Sequence, residues 1–340
     1  MNTLAAIGSG LLGIDLGGAV VDGLRSMVAI PACVYALASV GLNLQFGYAG
    51  LMNFGHIASG LVGGYGMAIT VSQGGSLWLG VLVGIVAAIV LGLVMGLPTL
   101  RLRADYLAIV TIAIAEILRV LANSVRLEGL TGGPNGLAGV AKDFYAINPI
   151  PEGRYGFGSW KFNQNVLFAM IVGWTLVALA SLLVWRMVNS PWGRMLKAIR
   201  EDEVAARALG KNVFVAKLQA LVVGSVMAGL AGMLFTLDGG YIKSEFYASQ
   251  VTFNWYVVII LGGLGTVIGP PLGAMIYWFV ISVVASVLSQ AIGNDTHWFI
   301  GPTDAGPIRF VLVGLAIILL LVFRPQGIFG DKDEALIRGH

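Results

Sequence analysis

The sequence is poor in charged residues, in histidine and in cysteine. Asp, Glu, Lys and Arg make up 11% of its 340 residues, whereas soluble proteins average about 25%. Such a scarcity of charge excludes a water-soluble enzyme domain. The lone Cys33 excludes a disulfide framework within the chain. The histidines His56, His297 and His340 stand far apart, without cysteine or carboxylate neighbours at ligand spacing, so we expect no metal site.

A phosphate-binding loop is also missing. The pattern Gly-x-x-x-x-Gly-Lys-Ser/Thr, whose backbone amides cradle nucleotide phosphates, occurs nowhere in the chain. No Ser-His-Asp or paired-carboxylate arrangement stands out either. We therefore expect no catalytic residues and no cofactor bound by this chain. The net charge of +3 does not predict nucleic-acid binding, because the basic residues gather in short loops.

Apolar residues dominate the sequence. They form 57% of the chain, and the mean hydropathy is +0.87. A membrane-spanning helix needs roughly 20 apolar residues. We therefore predict an all-α, polytopic integral membrane bundle of about 8–10 transmembrane helices, which forms a single transmembrane domain over residues 1–340.

Charge-free stretches locate the predicted spans. Residues 26–100 contain no Asp, Glu, Lys or Arg and are long enough for three passes, with breaks at 46–50 and 72–76. Residues 1–22 fit either a first, weakly hydrophobic span or an interfacial segment. Single spans are predicted at 105–122, 165–185, 218–237 and 310–323.

A second charge-free block covers residues 246–294. Its length suits two passes. Proline and glycine end helices, so we expect the turn between the passes at Gly269-Pro270-Pro271.

Residues 190–211 form the one long, heavily charged segment. Ser190 suits a helix N-cap, Pro191 the first helical position and Gly210 the residue just past the end, which predicts one short helix. Charged side chains cover most of this helix, and the i,i+4 spacing of Glu203 and Arg207 predicts an ion pair. A thin apolar stripe is formed by Leu196, Ile199, Ala206 and Leu209.

An amphipathic helix held between two membrane spans suits docking into a groove of a partner protein at the membrane surface. An ordinary solvated loop helix is the alternative. Placing the segment in the cytoplasm puts most Lys and Arg residues on that side, as the positive-inside rule expects. Residues 123–163 then form a periplasmic loop, and residues 324–340 a cytoplasmic tail.

Four polar residues, Asn43, Gln45, Asn53 and His56, fall near membrane depth among glycines. In hydrocarbon such side chains must find partners, so they either bond neighbouring helices or line a watery path. They are candidates for a translocation path. The glycines around them are interpreted as close-packing positions.

Glu116 and Arg119 lie three positions apart on a predicted membrane helix. A charge at the bilayer centre is costly when it is unpaired. We therefore expect both side chains to face protein and to form a mutual salt bridge. Contact with a zwitterionic substrate is the functional alternative, which makes this pair a further translocation-path candidate.

The charged segment also carries a family resemblance. Residues 191–210, Pro-Trp-Gly-Arg-Met-Leu-Lys-Ala-Ile-Arg-Glu-Asp-Glu-Val-Ala-Ala-Arg-Ala-Leu-Gly, resemble the coupling loop of bacterial ABC importer permeases, most of all the branched-chain amino acid permease family. That loop carries the pattern Glu-Ala-Ala-x-x-x-Gly. Val204 stands where its glutamate would be, and Glu203 lies one position earlier. The positions that match are Ala205, Ala206 and Gly210.

Further segments, in the correct order, resemble signatures of the same family. Their glycines at 130–136 predict tight turns, and this part of the loop is a candidate docking surface for a substrate-binding protein. The glycines at 260–270 are interpreted as structural and as marks of an interrupted helix. The segments are residues 39–56, 101–119, 130–136, 260–270 and 323–329.

The resemblance implies a non-catalytic permease subunit of an ATP-driven ABC importer in a bacterial inner membrane. It would form the path for leucine, isoleucine and valine delivered by a periplasmic binding protein. Other expected partners are a second homologous permease subunit, two cytoplasmic ABC ATPase subunits that bind ATP and Mg²⁺, and membrane lipid. The implied ATPase-coupling residues are Gly193, Arg200, Glu203, Ala205, Ala206, Arg207 and Gly210.

Two alternatives stay open. A permease for urea, short amides or another amino acid is similar at the same signatures. A secondary transporter without an ATPase is the other, although it leaves the charged helix unexplained. It would also need buried acidic residues for ion coupling, of which Glu116 is the clear candidate.

Overall fold

A computed structural model describes residues 15–100, 104–157 and 160–293, together with 308, 311, 314, 315 and 327–329. Helices account for most of the described residues. They are α1 (Leu16–Val28), α2 (Ile30–Asn43), α3 (His56–Ser72), α4 (Leu77–Thr99), α5 (Ala104–Ala122), α6 (Glu128–Thr131), α7 (Lys142–Ala146), α8 (Gln164–Val188), α9 (Pro191–Glu201), α10 (Glu203–Ala208), α11 (Val213–Gly239), α12 (Gln250–Gly262) and α13 (Gly269–Gly293). A π-helical turn, Leu44–Tyr48, continues α2.

Five helices among the described residues are long and apolar enough to cross a membrane. They are Ile30–Tyr48, Leu77–Thr99, Gln164–Val188, Val213–Gly239 and Gly269–Gln290. A sixth span results if Tyr106–Ala122 and Val125–Thr131, which meet at 61°, are counted together. The prediction of an all-α polytopic bundle is confirmed. The described residues do not reach the predicted total of 8–10 spans, and most of the predicted span at 310–323 and of the tail at 324–340 lies outside them.

The first charge-free block forms three helical passes, as predicted. The first break, residues 49–55, lies a few positions later than expected, because the π turn carries α2 on through Tyr48. The second turn lies at residues 73–76, where the Ser76 hydroxyl caps α4 by accepting from the Leu79 amide at 3.3 Å. Of the undecided residues 1–22, those described are the N-cap Asp15 and the start of α1, whose 13 residues are too few to span a bilayer.

The second charge-free block differs from the prediction. Its turn lies at residues 263–268, and Gly269-Pro270-Pro271 begins α13 instead of ending the preceding helix. A proline in the first helical turn loses no hydrogen bond, because that amide has no intrahelical acceptor. Gly263 and Gly265 make the turn, with φ of 117° and 71°. We refer to residues 49–55 and 263–268 as the first and second break segments.

Small residues let the central helices approach closely, as the glycine pattern predicted. A β-carbon on Gly232 of α11 would lie 2.0 Å from the carbonyl oxygen of Gly60 on α3. One on Gly84 of α4 would lie 2.6 Å from the carbonyl oxygen of Gly63. Backbones this close exclude larger side chains, so α3, α4 and α11 form a tightly packed centre.

Two short antiparallel ladders lie at the connections. β1 (Leu137–Ala138) pairs with β4 (Tyr241–Ile242), and β2 (Arg154–Phe157) pairs with β3 (Trp160–Asn163). The predicted tight turns of residues 130–136 are confirmed, since Gly132, Gly133 and Gly136 all have positive φ. The turn packs beside β4, so that a β-carbon on Gly136 would meet the carbonyl oxygen of Ile242 at 2.1 Å.

Helix α11 separates two ends of the molecule. Its N-terminus follows α9 and α10, and its C-terminus leads directly into β4. With 27 residues it is about 40 Å long, which exceeds the roughly 30 Å of a bilayer's hydrocarbon core. The charged segment and the ladder of β1 and β4 therefore lie at opposite ends of a helix of membrane-spanning length.

Candidate functional site

Asn43 lies at the C-terminal end of α2 and holds the second break segment. Its side-chain amide donates to the carbonyl oxygen of Thr266 at 2.7 Å. Its side-chain oxygen accepts from the backbone amide of Gly265 at 3.0 Å. Backbone groups freed by an interrupted helix need partners at membrane depth, and this one side chain supplies both a donor and an acceptor.

Gln45 and Asn53 act in the same way on the first break segment. The Gln45 amide donates to the carbonyl oxygen of Leu221 in α11 at 2.9 Å. Its own oxygen accepts from the Asn53 side-chain amide at 3.0 Å, and the Asn53 oxygen accepts from the backbone amide of Gly55 at 3.1 Å. This chain of hydrogen bonds fixes the first break segment to the central helix α11.

His56 begins α3 directly after the first break segment. Its Nε2 lies 3.2 Å from the carbonyl oxygen of Ala38, and its ring meets Trp255 edge-on at 5.6 Å between centroids. His56 and the three amide side chains are all exposed by 1% or less. All four predicted residues lie in or beside the two break segments, and each contacts a backbone group of the bundle. Their role in a translocation path stays a prediction.

The C-terminal signature meets the interrupted helix. The amides of Ile328 and Phe329 donate to the carbonyl oxygens of Leu261 and Gly262 at 2.9 and 3.2 Å. These carbonyls belong to the last turn of α12, where a helix leaves acceptors without intrahelical donors. Two of the segments that carried the family resemblance are therefore parts of one structural unit, and the predicted helix interruption is confirmed.

Glu116 and Arg119 form the predicted salt bridge on α5. The guanidinium Nη2 lies 2.5 Å from Glu116 Oε1, and Nε lies 3.0 Å from Oε2. The expectation that both side chains face protein is not met within this chain, since 45% of the Glu116 side chain and 24% of the Arg119 side chain are exposed. Each satisfies the other's charge, so pairing here does not depend on enclosure by neighbouring helices.

The charged segment is two helices, not the single helix predicted. Asp202 adopts extended backbone angles between α9 and α10, and its carboxylate accepts from the amides of Val204 and Ala205 at 2.8 and 2.9 Å. Aspartate is a strong N-cap, so it starts a new helix where the sequence pattern suggested continuity. Ser190 makes no side-chain cap, and its hydroxyl donates instead to the carbonyl oxygen of Met187 at 2.6 Å.

Gly210 ends α10 as predicted. Its φ is 75°, its amide donates to the carbonyl oxygen of Arg207 at 2.9 Å, and the Lys211 amide donates to that of Ala206 at 3.2 Å. This pair of bonds is the Schellman arrangement, which favours glycine at the left-handed position. The C-terminal boundary of the charged segment is therefore fixed by local backbone chemistry.

The predicted apolar stripe packs inward. Leu196, Ile199 and Ala206 are buried within this chain, whereas Leu209, which was assigned to the same stripe, is 79% exposed. On α9, the Arg200 guanidinium donates to the carbonyl oxygen of Gly47, and Lys197 Nζ lies 5.7 Å from the Tyr48 ring centroid. The stripe thus anchors α9 to its own bundle, so a partner protein would meet the opposite face.

Glu203 links the two helices to the central span. Its carboxylate lies 2.5 Å from Arg207 Nη2, the predicted pairing, and also 2.5 Å from Lys217 Nζ of α11. Burial raises the pKa of Glu203, but its hydrogen bonds and charge interactions with Lys217 and Arg207 outweigh burial, so the pKa lies below its ordinary value. The contact with Lys217 was not foreseen, because nothing in the spacing brings position 217 next to position 203.

The seven predicted coupling residues divide by exposure. Ala205, Arg207 and Gly210 are exposed, Arg200 and Glu203 are partly exposed, and Gly193 and Ala206 are buried. The sequence analysis placed Leu209 on the apolar stripe and gave Val204 no apolar role, yet these two are the most exposed apolar side chains of this region, at 79% and 76%. Among the described residues, no group of three or more His, Cys, Asp or Glu side chains is placed to hold a metal ion.

The chain is similar in sequence to known membrane transport proteins. The family described as branched-chain amino acid transport system, permease component, matches residues 24–322. The high-affinity branched-chain amino acid transport system permease protein LivM of Salmonella typhimurium is 29% identical over 88% of this chain and 69% of its own length.

Other relatives agree with this match. The probable branched-chain amino acid transport permease protein LivM of Methanocaldococcus jannaschii is 27% identical, over 91% of this chain and 94% of its own length. The corresponding LivH protein of Salmonella typhimurium is 25% identical, over 88% and 92%. With its several apolar helices, the chain is a multi-pass membrane protein that belongs to the branched-chain amino acid transport permease family.

Proposed function

We propose that this chain is one of two membrane subunits of an ATP-driven importer that carries leucine, isoleucine and valine across the inner membrane of a bacterium. The chain itself performs no hydrolysis. Two ATPase subunits, carrying ATP and Mg²⁺, act at the face of α9 and α10, and a periplasmic binding protein delivers substrate at the opposite face. Family membership supports the substrate class, and the presence of both LivM and LivH among the relatives supports pairing with a second permease.

The observation that carries the proposal is the mounting of α9 and α10. The buried stripe, the Arg200 contact to the π turn and the Glu203 contact to Lys217 fasten these helices to α2 and α11. A push on their exposed face is therefore passed to helices that border the break segments. A solvated loop helix has no need of such attachments, so this arrangement favours a mechanical coupling element.

The ends of α11 support the orientation. The charged helices lie at its start, and the ladder that carries the 130–136 turns lies at its end. This separation suits a cytoplasmic coupling segment and a periplasmic loop at 123–163. This orientation also places most Lys and Arg residues on the cytoplasmic side, as the positive-inside rule expects.

Reconstitution tests the function. The chain is co-expressed with its candidate second permease, ATPases and binding protein, purified as a complex and placed in proteoliposomes that contain ATP and Mg²⁺. We expect uptake of labelled leucine, isoleucine and valine that requires ATP and the binding protein. Uptake of urea or a short amide in their place would contradict the substrate assignment, and leucine uptake by the permease without ATPases, driven by an ion gradient, would contradict the importer class.

A further inference from the structure

An aromatic cavity lies within the bundle and played no part in the sequence predictions. It has a volume of about 170 Å³ and is bordered by α2, α3, α11, α12, α13 and the 3₁₀ turn Ser244–Tyr247. The described residues that line it include no Asp, Glu, Lys or Arg. Burying a charge without a partner is costly, so the cavity suits an uncharged, apolar group.

The walls of the cavity are held in place by packing. The Tyr35 ring lies 6.3 Å from Trp255, 5.5 Å from Tyr277 and 5.3 Å from Trp278, measured between centroids. The Tyr247 hydroxyl donates to the carbonyl oxygen of Gly232 at 3.0 Å. Aromatic rings fixed by several neighbours form a cavity that exists before a ligand enters, as is usual for small-molecule sites.

The volume limits the size of the occupant. A dry apolar cavity of about 150 Å³ in a protein holds one benzene molecule. A branched aliphatic side chain is smaller than a benzene ring and therefore fits this cavity. The cavity is too small for an apolar group much larger than a benzene ring.

Two residues of the cavity wall carry buried polar groups. The indole N–H groups of Trp255 and Trp278 are buried and have no acceptor in the part of the chain that the structure describes. These nitrogens have almost no accessible surface, so the cavity presents an apolar wall to an occupant. Phe246, 39% exposed, marks the open side, at the end of α11 remote from α9 and α10.

The cavity also adjoins the first break segment. Ile57, the second residue of α3, lines it, and the Ile57 backbone amide donates to the Thr252 hydroxyl at 3.1 Å. His56, which begins α3, contacts Trp255 of the cavity wall edge-on. An occupant would therefore press on the start of α3, where the helix meets its interrupted backbone.

From this arrangement we propose that the cavity holds the branched aliphatic side chain of the transported amino acid as it enters from the side of Ser244–Tyr247. The proposal rests on the proposed function and adds a substrate-binding site to it. An occupant of the cavity would contact the start of α3 beside the first break segment. On α9, Arg200 contacts Gly47 of the π turn just before the same segment. The substrate and the charged helices would thus act on the same part of the bundle.

Two substitutions at Val251, a partly buried wall residue of α12, test the site in the reconstituted complex. Val251→Phe fills the cavity, and we expect leucine uptake to fall at least ten-fold. Val251→Ile adds one methylene group, which in an apolar site changes discrimination by about ten-fold or more. We expect this variant to lower leucine uptake relative to the smaller valine by about that factor.

Val86→Phe is the matched control, because Val86 lies on α4 and is 49% exposed. We expect it to keep leucine uptake within two-fold of the wild type. Elution volume, thermal unfolding and ATPase activity without binding protein report on folding and assembly. If Val251→Phe does not assemble, the leucine-to-valine ratio of Val251→Ile decides.

The outcomes separate the two proposals. If the wild-type complex takes up leucine and both Val251 variants transport as well as Val86→Phe, the binding-site proposal is wrong and the proposed function stands. Wild-type complex with no leucine uptake overturns both. A cavity that holds a lipid acyl chain instead would lower leucine and valine uptake equally in Val251→Ile, and this result also overturns the binding site.

Discussion

At the scale of single residues, buried amides do structural work that apolar residues cannot. Asn43 and Asn53 bond backbone groups of the two break segments, and Gln45 links Asn53 to the Leu221 carbonyl of α11. Each is fully buried. Their hydrogen bonds allow an interrupted backbone to persist inside a bundle of apolar helices.

Replacing Asn43 by leucine tests this role. The Gly265 amide and the Thr266 carbonyl would each lose a partner, at a cost of about 1–3 kcal/mol for each buried group left unsatisfied. We expect a clear drop in the thermal unfolding temperature of the detergent-purified permease. Gln73→Leu is the control, since this amide is exposed, and an equal drop in both variants would contradict the assignment.

The ion pair on α5 predicts a charge-exchange result. Glu116→Gln or Arg119→Gln leaves one charge without its partner, and we expect each to destabilise the permease by about 1 kcal/mol. The exchange Glu116→Arg with Arg119→Glu restores the pairing and should recover part of that loss. Thermal unfolding of the four proteins measures the coupling.

Transport in the same variants distinguishes the substrate-contact alternative for this pair. If Glu116→Gln unfolds like the wild type and assembles fully, yet has lost uptake, the pair serves the substrate and the structural assignment is wrong. Unchanged uptake together with lowered stability is the expected result.

Glu203 predicts a dependence of stability on pH. Because its pKa in the folded protein lies below the ordinary value of 4.5, its contribution is fully present above about pH 4.5 and is lost as the pH falls through the lowered value. We expect the stability difference between the wild type and Glu203→Gln to be constant at neutral pH and to shrink below pH 4.5. A difference that grows on acidification would contradict the pairing with Lys217 and Arg207.

At the scale of elements, α9 and α10 combine firm attachment with an exposed outer face. Their buried side holds Leu196, Ile199 and Ala206, and their exposed side presents Val204 and Leu209. The Schellman cap at Gly210 fixes where α10 ends. A coupling element needs both properties, since it must receive a partner and pass on its movement.

Gly210→Val tests this end of the element. The left-handed backbone at Gly210 costs a residue with a β-carbon about 1–2 kcal/mol, while a β-carbon there meets no atom within 4 Å. We therefore expect the end of α10 to shift, with loss of ATP-coupled uptake and a loss of stability of at most about 1–2 kcal/mol, because the membrane spans are untouched. Ala208→Val is the control, because it introduces the same side chain at an exposed helical position. Full ATP-coupled uptake by Gly210→Val would contradict the coupling role and favour the alternative that the segment is a solvated loop.

At the scale of the whole molecule, the long α11 places the charged helices and the ladder of β1 and β4 at opposite ends. The aromatic cavity opens near one end, and α9 and α10 lie at the other. Glycine contacts among α3, α4 and α11 bring the helix backbones of the connecting centre close together. The two ends are therefore joined by closely packed backbone.

Orientation in the membrane is the testable consequence at this scale. In a Cys33→Ser background, a cysteine at Asn135 should react with an impermeant maleimide in intact cells. A cysteine that replaces Ala205 should react with the reagent only after the cells are lysed. The reverse pattern would overturn the orientation and, with it, the assignment of α9 and α10 to the ATPases.

The sequence by itself determined the features that depend on local chemistry. Residues 26–100 are apolar throughout, so three helical passes followed from length and composition. Gly210 in a left-handed cap, the Glu203–Arg207 pair and the Glu116–Arg119 bridge followed from spacing along a helix. In each case, the interacting groups lie within one helix or at its end.

The tertiary structure alone decided which surfaces those elements bury. The apolar stripe that includes Leu196 indicates an amphipathic helix whether it packs on this chain or on a partner protein. Only the tertiary structure shows that most of the stripe is buried against this chain. Prolines 270 and 271 suit a turn or a first helical turn equally, and the close approach of Gly262 and Gly269 places the turn before them. The aromatic cavity draws on Tyr35 and Trp278, which are far apart in the sequence. Contacts between distant segments depend on how helices pack, and neither periodicity nor local propensity contains that information.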